Sequence, residues 1–233
     1  KSIIMFKTKI FYDGTNIKDF AGMEEVVGFT TNTGFMKQAN VSDYKAFVDE
    51  ALSMVGDRPI SFQVFEKNHD DIIRQAETIS SWADNIWVKI PVVNEDGDCN
   101  IPAIKELGKR GVKVNVTTVF TKDQIAELGD ELGDSPYIVS VFAGRISDAG
   151  EDPDEYIEYA VETFANKPNV EILWAGCQCA YDVVRAEKTS CHIITVPDSP
   201  LKKVGRRGKD LHEFSIETSK GFSEDARAAG LNV

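Results

Sequence analysis

Ile86-Trp87-Val88-Lys89-Ile90-Pro91-Val92-Val93 is an apolar run, rich in β-branched residues, with one cation at its centre. It reads as a buried strand. Burying an ammonium is expensive, so a lysine in this setting is either paired or partly neutral. A neutral lysine attacks carbonyl carbon, which is why Schiff-base enzymes keep one in a dry pocket. A strand lysine that snorkels outward or meets a carboxylate produces the same pattern. The surrounding sequence has to decide.

Outward from Lys89, short β-branched runs alternate with amphipathic segments. The strand candidates are 9–13, 28–32, 60–65, 85–91, 112–119, 137–143, 170–176 and 192–197. Between them, 42–55 opens on a serine cap and places Tyr44, Phe47, Val48, Ala51, Leu52 and Val55 on one face. The stretch 69–82 repeats the pattern with Ile72, Ile73, Ala76 and Ile79. Further helices are expected over 101–110, 122–132, 152–166 and 179–188. Buried strands alternating with helices call for parallel pairing. Eight such units in 233 residues suit an α/β fold of the closed (β/α)8 kind, the TIM barrel, better than an open doubly wound sheet. No Gly-x-Gly-x-x-Gly follows the first strand, which argues against dinucleotide binding. Without a linker or composition break, 1–233 reads as a single barrel domain, with 208–233 as a C-terminal helical extension.

Composition narrows the function classes. Charged residues make up 27% and hydrophobic ones 42%, ordinary for a folded globular chain. The net charge of −12 repels phosphate backbones and anionic lipid, so neither nucleic acid nor a membrane surface is expected as a partner. No apolar run nears the roughly 20 residues that span a bilayer. The start, Lys1-Ser2-Ile3-Ile4-Met5-Phe6-Lys7, has no long apolar stretch or small-residue cleavage site, and a cytoplasmic protein is expected. Cys177, Cys179 and Cys191 with His192 match no standard zinc spacing, and with Cys99 they read as reduced packing residues. No metal is expected.

In a barrel, functional groups sit at the carboxyl ends of the strands and in the loops just after them. Polar residues in these apolar strands gather there: Asp13, Asn32, Gln63, Lys89, Asn115, Thr117 and Arg145. Alternate residues of a strand face the barrel interior, so Ser61 with Gln63, Trp87 with Lys89, and Asn115 with Thr117 each share a face. Singly, Asp13 reads as a turn residue before Gly14 and Asn32 as a loop cap. Together they converge on one lysine, and packing alone does not call for that.

Gly28-Phe29-Thr30-Thr31-Asn32, Val88-Lys89-Ile90-Pro91, 114–120 (Val-Asn-Val-Thr-Thr-Val-Phe), 142–148 (Phe-Ala-Gly-Arg-Ile-Ser-Asp) and Thr195-Val196-Pro197 stand in this order. In order and spacing the chain resembles the transaldolase family, and more closely its short subfamily that includes fructose-6-phosphate aldolase. The resemblance implies a class I aldolase mechanism that needs no cofactor. Lys89 would form an imine at C2 of a ketose, and that imine would serve as the electron sink. Asp13 would take the C4 hydroxyl proton as the C3–C4 bond breaks. Asn32 and Asn115 would hold substrate hydroxyls, while Gln63 and Thr117 would position a water that shuttles protons. Sugar phosphates are the implied substrates, and related short members form rings, which implies a homo-oligomer here with the C-terminal tail as contact.

The departures from the family pattern shape the expectation further. Gln63 follows the fructose-6-phosphate aldolases, whereas Phe142 follows the transaldolases. Phe142 cannot hydrogen-bond the water that quenches an enamine, so transfer of a dihydroxyacetone unit is favoured over its release. The family's proline after Thr-Asn is replaced, giving Asn32-Thr33-Gly34. At the phosphate end Arg145 remains, a side chain suited to bidentate phosphate recognition. There the family's Ala-Ala-Ser with a nearby cation becomes Trp174-Ala175-Gly176 with Gln178. Trp174 is then either a pocket wall or core. Either backbone amides and residues such as Lys202, Arg206 or Arg207 fill in at the phosphate, or the substrate's far end is not an ordinary sugar phosphate. The alternatives are a fructose-6-phosphate-type aldolase that releases dihydroxyacetone, and a catalytically silent sugar-binding relative.

Overall fold

The computed structural model describes residues 6–233, so Lys1–Met5 of the N-terminal stretch read above lie outside it. From the amino end run β1 (Lys9–Asp13), α1 (Ile17–Phe20), β2 (Val26–Thr30), α2 (Thr33–Gln38), α3 (Tyr44–Val55), β3 (Ile60–Gln63) and α4 (His69–Ser80). Next come β4 (Ile86–Pro91), α5 (Ile101–Lys109), β5 (Val114–Val119), α6 (Lys122–Glu131), β6 (Tyr137–Val141), α7 (Ala143–Asp148) and α8 (Pro153–Thr163). The chain ends with β7 (Val170–Trp174), α9 (Tyr181–Lys188), β8 (Ile193–Val196), α10 (Asp198–Leu201) and α11 (Leu211–Ala228). The strands form one closed barrel in sequence order, and every pairing is parallel, β1 to β8 included. This is the expected (β/α)8 architecture with a helical C-terminal region.

Period-two alternation sorts each strand into two environments. Ile86, Val88 and Ile90 of β4 face outward into the core shared with the helices, as do Ile60 and Phe62 of β3 and Val114 and Val116 of β5. Their neighbours face the barrel axis. Near the amino ends that axis is filled by a separate apolar cluster of Phe11, Ile138, Leu173 and Ile193, with Trp87 and Ala175 against it. Gly28 is required at this level, since a Cβ there would collide with the Phe11 ring.

Helix ends follow local chemistry with one correction. The α3 cap is Asp43, whose carboxylate accepts from the Ala46 N–H at 3.0 Å, and not Ser42. Thr121 and Gln124 form a capping box at α6. The short helices α1, α2, α7 and α10 were not foreseen; α2 and α7 are six residues long, α1 and α10 four. The last helix, α11, has no buried residue, and Leu211, Ile216 and Phe222 stand exposed on it. Among the described residues no helix is long and apolar enough to cross a membrane.

Candidate active site

A cavity of about 400 Å3 opens at the carboxyl end of the barrel. Asp13, Thr30, Gln63, Lys89, Pro91, Asn115, Thr117, Ser140 and Thr195 reach it from the strands. Asn32, Gly34, Phe142, Arg145, Ala175 and Gly176 reach it from the segments just beyond. Nine of the ten expected site residues therefore share one cavity, drawn from β1 through β7 and the loops after them. The registers explain the convergence: Gln63 lies opposite Lys89, and Lys89 opposite Asn115, so the three stand at one level of the barrel.

Lys89 is half-buried, and its Nζ donates to the Thr31 carbonyl at 2.6 Å. Burial pushes its amine below the ordinary lysine range, and the charge of Asp13 works against that shift. The Asp13 carboxyl moves the other way. Burial raises it, Lys89 and the Thr30 hydroxyl oppose the rise, and Asp198 adds to it. Thr30 Oγ1 donates to Asp13 Oδ1 at 2.9 Å, and the Thr30 hydroxyl also meets that of Thr195. Desolvation leads both shifts, so the pair moves toward an uncharged amine and away from a fixed ion pair.

Asn115 is fully buried and held on both sides of its carboxamide: Nδ2 donates to Ser61 Oγ at 3.1 Å, and Oδ1 accepts from Ser140 Oγ at 2.6 Å. Asn32 caps α2, its Oδ1 accepting from the Phe35 N–H at 2.9 Å, which leaves its NH2 for a ligand. Its expected capping role and its cavity position thus coexist. Phe142 begins α7 and packs on Phe120 with ring centroids 5.5 Å apart.

At the far end of the cavity Arg145 is exposed, one residue into α7 from Gly144. Gly144 and Gly176 form a close backbone crossing. A Cβ on Gly144 would strike the Gly176 carbonyl, and Gly176 itself has φ +78°. The residue in the family's cationic position, Gln178, is a tether. Its Nε2 donates to Asp148 Oδ1 at 2.9 Å and to the Gly144 carbonyl at 3.3 Å, tying the loop after β7 to α7.

Two expectations fail here. Trp174 does not reach the cavity: it lies on the outward face of β7, fully buried beneath the helices, with the Arg185 guanidinium 5.4 Å from its ring. Leu173 and Ala175 take the inward positions that alternation denies it. Nor do the basic residues after β8 supply a second cation. Arg207 is paired with Glu187 at 2.8 Å, Arg206 lies over Phe214, and Lys202 over Phe20. None of them borders the cavity.

Sequence reasoning missed Thr30, Ser140 and Thr195 as cavity residues. Threonine and serine are unremarkable in strands, but each falls on the inward phase of its strand, two residues from an apolar plug residue or a named site residue. Thr118, which also borders the cavity, has φ +55° where β5 bulges against β6.

Comparison with known proteins agrees with this geometry. The transaldolase/fructose-6-phosphate aldolase family pattern matches residues 10–233. A probable transaldolase of Thermoanaerobacter sp. (strain X514) is 33% identical over 229 residues, covering 97% of this chain and all of the relative. Another, from Caldicellulosiruptor saccharolyticus, is 32% identical over 90% of this chain and 94% of its own length. A putative phosphonomutase from Burkholderia cenocepacia shares the fold alone, at 12% identity and a TM-score of 0.53 over 94% of each chain. With barrel, cavity and sequence in agreement over nearly its whole length, this chain belongs to the transaldolase/fructose-6-phosphate aldolase family.

Proposed function

We propose that this protein is a Schiff-base transaldolase that moves a dihydroxyacetone unit between sugar phosphates. One observation carries the reading: a single lysine in the cavity, its amine lowered by burial, shares that cavity with a carboxyl group from β1. The neutral Lys89 Nζ attacks the ketose C2 carbonyl, and loss of water gives the imine. Asp13 takes the C4 hydroxyl proton, the C3–C4 bond breaks, and its electron pair flows into the iminium nitrogen. The aldehyde departs and the enamine on Lys89 attacks an acceptor aldehyde. Gln63 and Thr117 orient the water of imine formation and hydrolysis, Asn32 and Asn115 hold hydroxyls, and Arg145 holds the phosphate.

Phe142 favours transfer over release, because a ring without a hydroxyl cannot hold the water that would protonate the enamine. The test measures both products from fructose 6-phosphate, with and without erythrose 4-phosphate. Transfer should exceed release of dihydroxyacetone, and Phe142→Tyr should move the ratio several-fold toward release. Equal rates in the wild type would make the protein an aldolase of the fructose-6-phosphate type. The exposed apolar residues of α11 support a homo-oligomer built through the tail, with 1–233 otherwise one barrel domain. Free thiols and an acidic composition support a cytoplasmic setting.

A further inference from the structure

Asp13 is held at the cavity by groups on both sides of it in sequence. Tyr12, one residue earlier, points out of the barrel and is fully buried, stacked on Phe20 with centroids 4.4 Å apart. Its hydroxyl donates to Asp198 Oδ1 at 2.6 Å and accepts from the Asn16 N–H at 3.0 Å. Asn16 Nδ2 donates to Asp198 Oδ2 at 2.9 Å. Asp198 opens α10 directly after β8, the strand whose Val196 pairs with Tyr12. Gly14 completes the turn: its N–H donates to the Thr30 carbonyl at 3.0 Å, and a Cβ on it would collide with the Tyr12 hydroxyl.

We propose that Asp198 is a positioning residue for carbon–carbon cleavage: by clamping Tyr12 and Asn16, on either side of Asp13, it sets where the Asp13 carboxylate stands in the cavity. The inference rests on the functional reading above. A short hydrogen bond to a carboxylate is among the stronger kinds. Burial and Asp198 push the Tyr12 phenol above its ordinary range, so it stays a donor. Asp198 also sets a second negative charge near Asp13, which raises the Asp13 carboxyl and makes its anion a stronger base. The other titratable groups facing Asp13 are Lys89 from β4, Tyr12 from β1 and Cys177 from the loop after β7, with Arg145 on the same cavity.

The test reads three quantities in Asp198→Asn and Tyr12→Phe: borohydride trapping of fructose 6-phosphate on Lys89, kcat and KM for cleavage, and the pH dependence of kcat/KM. In Asp198→Asn, trapping should stay within about twofold of wild type while kcat falls about tenfold or more, since small misplacements of a catalytic group have effects of that size. Its acid limb should move to lower pH, because Asp13 loses a neighbouring negative charge. Tyr12→Phe should lose kcat while its acid limb stays at the wild-type pH. Unchanged kcat and limb in Asp198→Asn overturn the proposal, as does trapping that falls in step with kcat, which would mark a residue that merely supports the barrel. If Asp198→Asn does not fold, Asn16→Ala decides. It should lower kcat about two- to threefold with trapping intact, in line with one lost hydrogen bond of modest net worth, and unchanged kcat rejects the clamp. A wild type that gives no adduct rejects the functional reading and, with it, this inference.

Discussion

The two halves of the barrel interior are built from the same strands and differ by a shift of two residues. Phe11, Trp87, Ile138 and Ile193 plug the amino end, whereas Asp13, Lys89, Ser140 and Thr195 stand two positions later at the carboxyl end. Every pair keeps the same inward phase. One layer is an apolar cluster; the next gathers polar groups above it. The polar layer holds Lys89, whose amine is lowered by its burial there.

Substitutions in the two layers should separate activity from stability. The largest effect is expected at Lys89→Ala, which removes the proposed nucleophile and should abolish turnover while circular dichroism shows a folded barrel. Retained turnover would show that the upper layer works without its lysine. In the plug, Ile138→Ala opens a void and should destabilise the protein by about 2–5 kcal/mol, with kcat per folded molecule little changed. Denaturant unfolding beside active-site titration checks this, and a plug variant that lost activity but not stability would erase the distinction between layers.

Arg145→Ala probes the rim of the upper layer. Charge-assisted contacts are worth about 1.5–3 kcal/mol, so KM for a phosphorylated donor should rise tenfold or more while a free ketose is affected much less. Equal losses on both substrates would assign Arg145 to the cavity's geometry.

The upper layer was legible where a polar residue breaks an apolar strand. Lys89, Asn115 and Thr117 announced themselves that way, and the barrel followed from the spacing of the runs around them. Thr30, Ser140 and Thr195 stayed hidden because hydroxyl residues suit any strand. Size and composition leave Trp174 between pocket wall and core, and its phase, one residue after Leu173, sends it to the helices. The helices α2 and α7 carry too few turns for a periodic signal, and tertiary contacts such as the Gly144–Gly176 crossing hold α7 in place. The Asp198 clamp joins residues more than 180 positions apart, and only barrel closure brings them together.

Reductive trapping tests the central claim most directly. The protein is incubated with fructose 6-phosphate and borohydride across pH, digested, and the adduct mapped by mass spectrometry. One fragment should attach to Lys89 alone. The attacking form is the free amine, so the trapping rate should rise with pH and level off below 10.5, the ordinary lysine value, because burial lowers Lys89. An adduct on Lys105, Lys113 or another lysine, or a rate still climbing through 10.5, would contradict the account.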